Sequence, residues 1–411
     1  MRRAARDYDE SRAEWSSPQD VGGRRFLFYT NECVGLGHLR RTTTLARATT
    51  ELDLDSSALI ITGSAASFGE APPPRVDTIK LPVLARDQQG AYWSSRLGMG
   101  SRELQGLRAQ LALTAAEAFE PAVAVVDKVP LGLSDELIPT LESLRRSGRT
   151  RLVLGLRDIE DDAAAVRRRW GPGGLVDVIR RFYDAVVVYG PEGSMDALTC
   201  VGDEELDVPV HHVGYVGAPM PASGPADLQP GYLLVTVGGG ADGFALLDSV
   251  LQAVRAEPVG PVVMVTGPLM PPSEVASLHG QAAALGVRLF EMRQDMPEVI
   301  AGADAVVAMA GYNTVSEVLR AGKPALLVPR VRPSREQLVR ARVLAEAGTA
   351  DMLHPDELTP ARMRRAIEHL IRRERPSFDP ADYDGAARTA ELLHGLARQS
   401  TGLREPAVVG S

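Results

Sequence analysis

Short apolar runs alternate with helical stretches along this chain, and the alternation occurs twice. "FLFYT" (26–30), "ALIIT" (58–62), "AVAVVD" (122–127), "RLVLGLRD" (151–158), "AVVVYG" (185–190) and "VHHVGYVG" (210–217) read as strands. Between them lie helical segments such as "HLRRTTTLARATTEL" (38–52). A proline-, glycine- and alanine-rich segment, "APMPASGPADLQPG" (218–231), interrupts the pattern and reads as a linker. The strands then resume with "YLLVTV", "PVVMVTG", "VRLFEM", "AVVAMAG" and "PALLVP". Apolar strands joined through helices bury both faces of a parallel sheet. The expectation is α/β: two doubly wound, Rossmann-like domains in tandem, facing a cleft. The expected layout is a disordered lead (1–23), an acceptor-side domain (24–217), a linker (218–230) and a ligand-binding domain (231–380). A terminal helix (381–398) packing back on the first domain and a disordered tail (399–411) complete it.

Bulk properties narrow the function. The 411 residues are 45% hydrophobic and 24% charged, enough apolar material for two cores. The net charge of −8 offers no basic face for nucleic acid. The two cysteines, Cys33 and Cys200, have no metal-ligand spacing and make no disulfide framework, which points to a reducing cytosol. No apolar stretch is long enough to span a membrane, and the first twenty residues lack a secretory apolar core, so a cytoplasmic location is expected.

In doubly wound sheets, ligands bind at the carboxyl ends of strands. After the first strand, "NECVGLGHLRR" places Gly35, Gly37 and His38 at a helix start, where free amides and the dipole favour anions. The third glycine of a dinucleotide fingerprint is missing, and no acidic residue ends the second strand, which argues against a nicotinamide cofactor. His38 is the candidate general base, because the dipole disfavours its charged form. Arg40 and Arg41 read as solvated or carboxylate-paired. Asp127 and Asp158 also end strands and are second-choice bases or acceptor ligands; helix capping is the alternative for each, with Lys128 a candidate ion-pair partner of Asp127.

The second domain has three such strand ends. "VTVGGGADG" supplies the amides of Gly238, Gly239 and Gly240. "MAGYNTVSE" supplies Gly311, Tyr312, Asn313 and Thr314, with Glu317 one turn on. Asn313 and Thr314 are good N-caps, and Thr314 with Glu317 also forms a capping-box pattern, so Glu317 has a local structural reading beside the ligand one. "VPRVRPSREQLVRA" supplies Ser334, Arg335, Glu336 and Gln337. Together they outline a ligand with a phosphate part and a hydroxyl-bearing part.

Gly311-Tyr312-Asn313-Thr314 with Glu317, Gly322-x-Pro324, Val328-Pro329-Arg330 and Glu336-Gln337 resemble the C-terminal domain of family 28, the MurG-like glycosyltransferases. This resemblance runs from about Tyr232 to Gly348. The Gly-x-Gly-His loop resembles the family's N-terminal signature, and "FLFYTNECVGLGHLRR", "VVDKVPLG" and "VTVGGGADG" are similar to a bacterial branch of predicted glycosyltransferases. The resemblance implies a GT-B fold. It implies that Glu317 holds a uridine ribose, that amides around Gly311, Tyr312, Asn313 and Thr314 hold the diphosphate, and that Gly239 and Gly240 lie near it. Gln337 with Glu336 would meet donor-sugar hydroxyls, the backbone at Met292 would meet the base, and Gly37 and His38 would lie by the reacting centre. The implied reaction is metal-independent transfer of a HexNAc-like sugar, with inversion, from a nucleoside-diphosphate donor such as a UDP-sugar to a hydroxyl. No further cofactor and no metal site are expected. The alternatives are a nucleotide-sugar hydrolase with water as acceptor, a nucleotide-sugar epimerase as a variant of that, and a non-catalytic nucleotide-sugar sensor. Two departures stand out: Met309-Ala310-Gly311-Tyr312 replaces the family's Arg-Ser-Gly-Ala, and Glu336-Gln337 replaces a double glutamine. The acceptor (small molecule, lipid-linked or polysaccharide precursor) and the oligomeric state are not legible. No basic-apolar docking stripe is evident, which leaves room only for weak peripheral membrane contact.

Overall fold

The computed structural model describes residues 23–399, apart from 31–36, 65–71, 87–91, 95, 172, 194–197, 199, 201–205 and 377–379. Nearly all of the lead and tail, and Cys33 and Gly35 of the first glycine loop, therefore lie outside the described residues.

The first lobe holds β1 (Arg25–Thr30), β2 (Ser57–Thr62), β3 (Val76–Lys80), a small antiparallel pair β4 (Leu84–Arg86) and β5 (Tyr92–Ser94), then β6 (Val123–Asp127), β7 (Arg151–Arg157), β8 (Ala185–Tyr189) and β9 (Val210–His212). Its main sheet is parallel, in the order β3-β2-β1-β6-β7-β8-β9. Helices α1 (Gly37–Leu52), α2 (Ser101–Phe119), α3 (Ile138–Ser147), α4 (Ala163–Trp170) and α5 (Leu175–Phe182) belong to this lobe. Every residue of β6 and β8 is buried, as the unbroken apolar runs require. Removing each such valine from water contributes about 1.5–3 kcal/mol.

The second lobe repeats the plan with β10 (Tyr232–Thr236), β11 (Val262–Val265), β12 (Arg288–Phe290), β13 (Ala303–Ala308), β14 (Ala325–Leu327) and β15 (Asp351–Met352). The sheet order is β12-β11-β10-β13-β14-β15, all parallel. Its helices are α6 (Phe244–Ala256), α7 (Pro272–Leu285), α8 (Met296–Gly302), α9 (Tyr312–Arg320), α10 (Glu336–Glu346) and α11 (Pro360–Ile371). The last helix among the described residues, α12 (Gly385–Gln399), lies against α1 of the first lobe. There His394 Nε2 donates to the Thr49 carbonyl at 2.9 Å, and its ring sits 4.8 Å from that of Phe26.

The chain thus crosses between lobes twice, and the crossings are tied together. Tyr215 stacks on Tyr383 at 5.7 Å, and its amide donates to the Asp382 carbonyl at 2.6 Å. At Gly385 a Cβ would lie 2.5 Å from the Gly214 carbonyl oxygen, so only glycine fits this junction.

Strand order reverses between β1 and β6 in one sheet and between β10 and β13 in the other. These are the positions where a doubly wound sheet opens a crevice. His38 follows β1 and Asp127 ends β6, while Gly238–Gly240 follow β10 and Gly311 follows β13.

Candidate functional site

His38 stands at the second position of α1, and its Nδ1 is hydrogen-bonded to Asp127 Oδ2. A carboxylate accepts, so Nδ1 carries the proton and Nε2 is left as the acceptor. His38 is partly exposed, its side chain at 19%, whereas Asp127 is buried. Arg41 lies one turn on and donates from Nε and Nη2 to Asp127 Oδ1, at 3.2 and 2.6 Å. Burial opposes the Asp127 charge, but Arg41 and His38 outweigh it and hold the carboxyl well below the usual carboxylate range. Asp127 is therefore a permanent anion that orients the imidazole. With both oxygens engaged it is not an open base, which corrects one alternative drawn from sequence.

Opposite this pair, the second lobe has a cavity of about 180 Å³ lined by Gly238, Gly239, Gly240, Asp242, Leu269, Met309, Gly311, Thr314, Arg330 and Gln337. Three strand ends build it. The Gly238–Gly240 turn needs glycine: Gly238 and Gly240 have φ of 64° and 94°, and a Cβ on Gly240 would lie 2.2 Å from the Thr266 carbonyl oxygen. Gly240→Ala is accordingly expected to lower both the melting temperature and the affinity for any anionic ligand of the cavity. Calorimetry alongside Gly280→Ala, at an open position in a helix, checks this.

The Gly311 turn is the N-terminus of α9. Gly311 itself is the N-cap, in extended conformation, and among the described residues no side chain caps the helix. The amides of Tyr312, Asn313 and Thr314 have no intrahelical acceptor, as at any helix start, and Thr314 lines the cavity. Asn313 and Thr314 are inside the helix, which corrects their reading as caps. Asn313 Nδ2 instead crosses to the first lobe and donates to the Gly37 carbonyl at 3.0 Å. The capping-box reading of Glu317 fails for the same reason, because Glu317 is the sixth helical residue and not the third. It is buried, its pKa is raised by that burial against the opposing pull of Arg40, and Arg40 Nη2 of the first lobe lies 3.4 Å from Oε1.

Two sequence candidates have other occupations. Asp158 makes a two-pronged pair with Arg340 of α10, at 2.9 and 2.7 Å, with both side chains 1% exposed. It is not open to an acceptor. Glu336 Oε1 accepts from Arg157 of the first lobe at 2.8 Å and from Arg340 at 3.1 Å. Burial works against its charge, yet Arg157, Arg340 and Lys128 bring its pKa down to about 2. Glu336 therefore serves the joint between lobes and does not line the cavity. Its neighbour Gln337 does, with Oε1 accepting from the Arg330 amide at 3.0 Å. Lys128 pairs with Glu160 at 3.7 Å and not with Asp127. Met292 is 50% exposed beyond the edge strand β12 and does not line the cavity.

The Tyr312 ring also turns away from the cavity. Its hydroxyl accepts from the Val216 amide at 2.9 Å, and the guanidinium carbons of Arg41 and Arg340 lie 5.2 and 5.8 Å from the ring centroid. Arg330, Asp242, Arg340 and Tyr189 were not among the sequence candidates. Two spacings carried a signal: Arg41 is three residues after His38 and Arg340 four after Glu336, on shared helix faces.

Among the described residues, no group of three or more His, Cys, Asp or Glu side chains is placed to hold a metal, and no helix is long and apolar enough to cross a membrane.

Comparison with known proteins fits this geometry. The glycosyltransferase family 28 C-terminal domain matches residues 233–392. The UDP-N-acetylglucosamine–N-acetylmuramyl-(pentapeptide) pyrophosphoryl-undecaprenol N-acetylglucosamine transferase of Bacillus licheniformis is 28% identical over 218 residues, 49% of this chain and 59% of the relative. The Yersinia pseudotuberculosis protein of the same name is 34% identical over 134 residues, 32% of this chain and 37% of the relative. The chain thus spans less than two thirds of the length of these relatives. Among solved structures, Acinetobacter baumannii MurG superposes with a TM-score of 0.56 over 92% of this chain and 99% of its own, at 14% identity. Medicago truncatula UGT71G1, complexed with UDP-glucose, gives 0.57 over 93% and 99%, at 12% identity. These likenesses establish the fold as GT-B, in which two parallel-sheet lobes face one another. The chain as a whole has the GT-B fold, and residues 233–392 of its C-terminal lobe match the C-terminal domain of glycosyltransferase family 28.

Proposed function

We propose that the protein transfers a sugar from a nucleoside-diphosphate donor to an acceptor hydroxyl. The observation that carries this is the His38–Asp127 pair at one switch point, facing a glycine-amide cavity at the other. The similarity to enzymes named for UDP-N-acetylglucosamine favours a UDP-HexNAc donor.

In this reading, the donor sugar and diphosphate occupy the cavity. The amides of Gly239, Gly240 and the α9 start receive the charge that develops on the leaving diphosphate, helped by the α9 dipole. Gln337 meets sugar hydroxyls. The nucleoside runs along α9, and Glu317 exchanges Arg40 for the ribose diol. His38 Nε2 removes the acceptor proton, while Asp127 holds Nδ1–H and stabilises the imidazolium. The acceptor oxygen attacks from the first lobe, opposite the leaving group, so the configuration inverts. The acceptor sits on that lobe, and a location on the cytoplasmic side fits the absence of a membrane-spanning helix among the described residues. The lobe boundaries at residues 217–231 and near Gly385 form the hinge.

The test is thermal stabilisation by UDP, GDP, TDP, ADP and UDP-sugars. A ligand at one hundred times its Kd stabilises by about 2.7 kcal/mol. UDP or a UDP-sugar is expected to raise the melting temperature of the wild type, and Glu317→Ala to lose most of that rise. An unliganded Glu317→Ala that melts lower but responds fully would leave Glu317 as a packing residue only.

A further inference from the structure

Arg41 does more than balance the charge of Asp127. It is 3% exposed, and its guanidinium carbon lies 5.2 Å from the ring centroid of Tyr189 and 5.2 Å from that of Tyr312. Tyr189 ends β8 in the first lobe, and Tyr312 starts α9 in the second. The cation that holds the orienting carboxylate is therefore seated partly on each lobe. A desolvated guanidinium is attracted to ring faces, so removing either ring weakens the seat. Arg41 also has an unproductive place to go. Its Nη2 lies 3.1 Å from His38 Nδ1, while the two side chains hold separate oxygens of Asp127, so an Arg41 that slips from Oδ1 toward Oδ2 displaces the imidazole.

We infer that Arg41 is a positioning residue that makes the alignment of His38 on Asp127 conditional on the seat of α9, the helix that starts the donor cavity. When α9 moves off, Arg41 loses the Tyr312 ring, its grip on Asp127 Oδ1 loosens, and the imidazole loses its fixed orientation. The base is then competent only with the lobes together, which keeps an open, donor-loaded protein from activating water. The catalytic meaning rests on the function proposed above; the coupling from Tyr312 to His38 does not.

The experiment reads the His38 ring N–H by NMR in the full, unliganded chain labelled with 15N-histidine. A ring proton held by a carboxylate exchanges slowly and resonates far downfield. The chain has seven histidines, and His38→Gln assigns the signal by its loss. Tyr312→Leu, made in the other lobe, is expected to shift or abolish the resonance, whereas Tyr312→Phe, which keeps the ring and drops the hydroxyl, retains it. Arg41→Lys keeps the charge but cannot make both contacts to Asp127, and is expected to behave like Tyr312→Leu. Melting curves establish that each variant is folded. A wild-type resonance unchanged in Tyr312→Leu overturns the inference, as does an equal change in Tyr312→Phe. If Tyr312→Leu does not fold, an unchanged signal in Arg41→Lys has the same force. A wild type with no signal removable by His38→Gln overturns it as well. Calorimetry with UDP is run separately. UDP that fails to bind refutes the nucleotide reading and leaves the coupling to be decided by the resonance.

Discussion

His38→Gln is expected to lower turnover of the UDP-sugar donor by 10²–10⁴-fold, the range for loss of a positioned general base. The affinity for UDP should stay within about twofold, because His38 is on the opposite lobe from the cavity amides. Glutamine keeps a donor toward Asp127 but replaces the basic Nε2 with an amide oxygen that cannot take up the proton, so the loss isolates proton removal from packing. Release of UDP followed at saturating donor gives kcat, and calorimetry gives the affinity. A variant retaining more than a tenth of wild-type kcat would assign the base elsewhere. Asp127→Asn should also be strongly impaired. It keeps the shape but removes the anion that stabilises the imidazolium, and it leaves buried Arg41 without its counter-charge.

The largest stability effect is expected at Arg340. Arg340→Met strands Asp158 with no partner and takes one of two arginines from Glu336, all inside a buried joint between lobes. Breaking one side of such a network costs about 3–5 kcal/mol, because an uncompensated charge remains in low dielectric. For a lobe of this size that lowers the melting temperature by roughly 10 °C. The double change Arg340→Met with Asp158→Leu should recover at least half of the loss, since removing both charges removes the penalty. Differential scanning calorimetry decides. If Arg340→Met melts with the wild type, the joint is open in solution and the ion pairs form only with ligand.

The architecture was legible because its physics is local and repeated. Continuous apolar runs such as "AVAVVD" and "AVVVYG" can only be strands buried on both faces, and both appear as such. The strands that escaped, β3 "VDTIK", the β4–β5 pair and two-residue β15, are short or sit at sheet edges, where polar alternation replaces the apolar run. The glycine-rich strand ends were legible for a similar reason. Gly238 and Gly240 take positive φ, a demand visible as glycine in sequence. What sequence could not supply was the pairing of charges between lobes. Nothing in "REQLVRA" says that Glu336 meets Arg157, 179 residues away, while Gln337 alone faces the cavity. Asp127 and Asp158 look alike at their strand ends, yet one faces His38 and the other a helix of the opposite lobe. The local start of α9 was misjudged because Asn313 and Thr314 are good caps in isolation, while Asn313 spends its amide on the Gly37 carbonyl.

The return of α12 to the first lobe has a consequence for synthesis. The second lobe is, in effect, a long insertion between the body of the first and the helix that finishes it. On the ribosome, strands β1 to β9 emerge well before residues 385–399, so the face of α1 around Thr49 and the ring of Phe26 wait uncovered while the whole second lobe is made. The second lobe can complete its own sheet in that interval, because all six strands precede α12. The order of completion can then be the reverse of the order of translation: the C-terminal lobe has all its strands before α12 arrives to seal the N-terminal lobe.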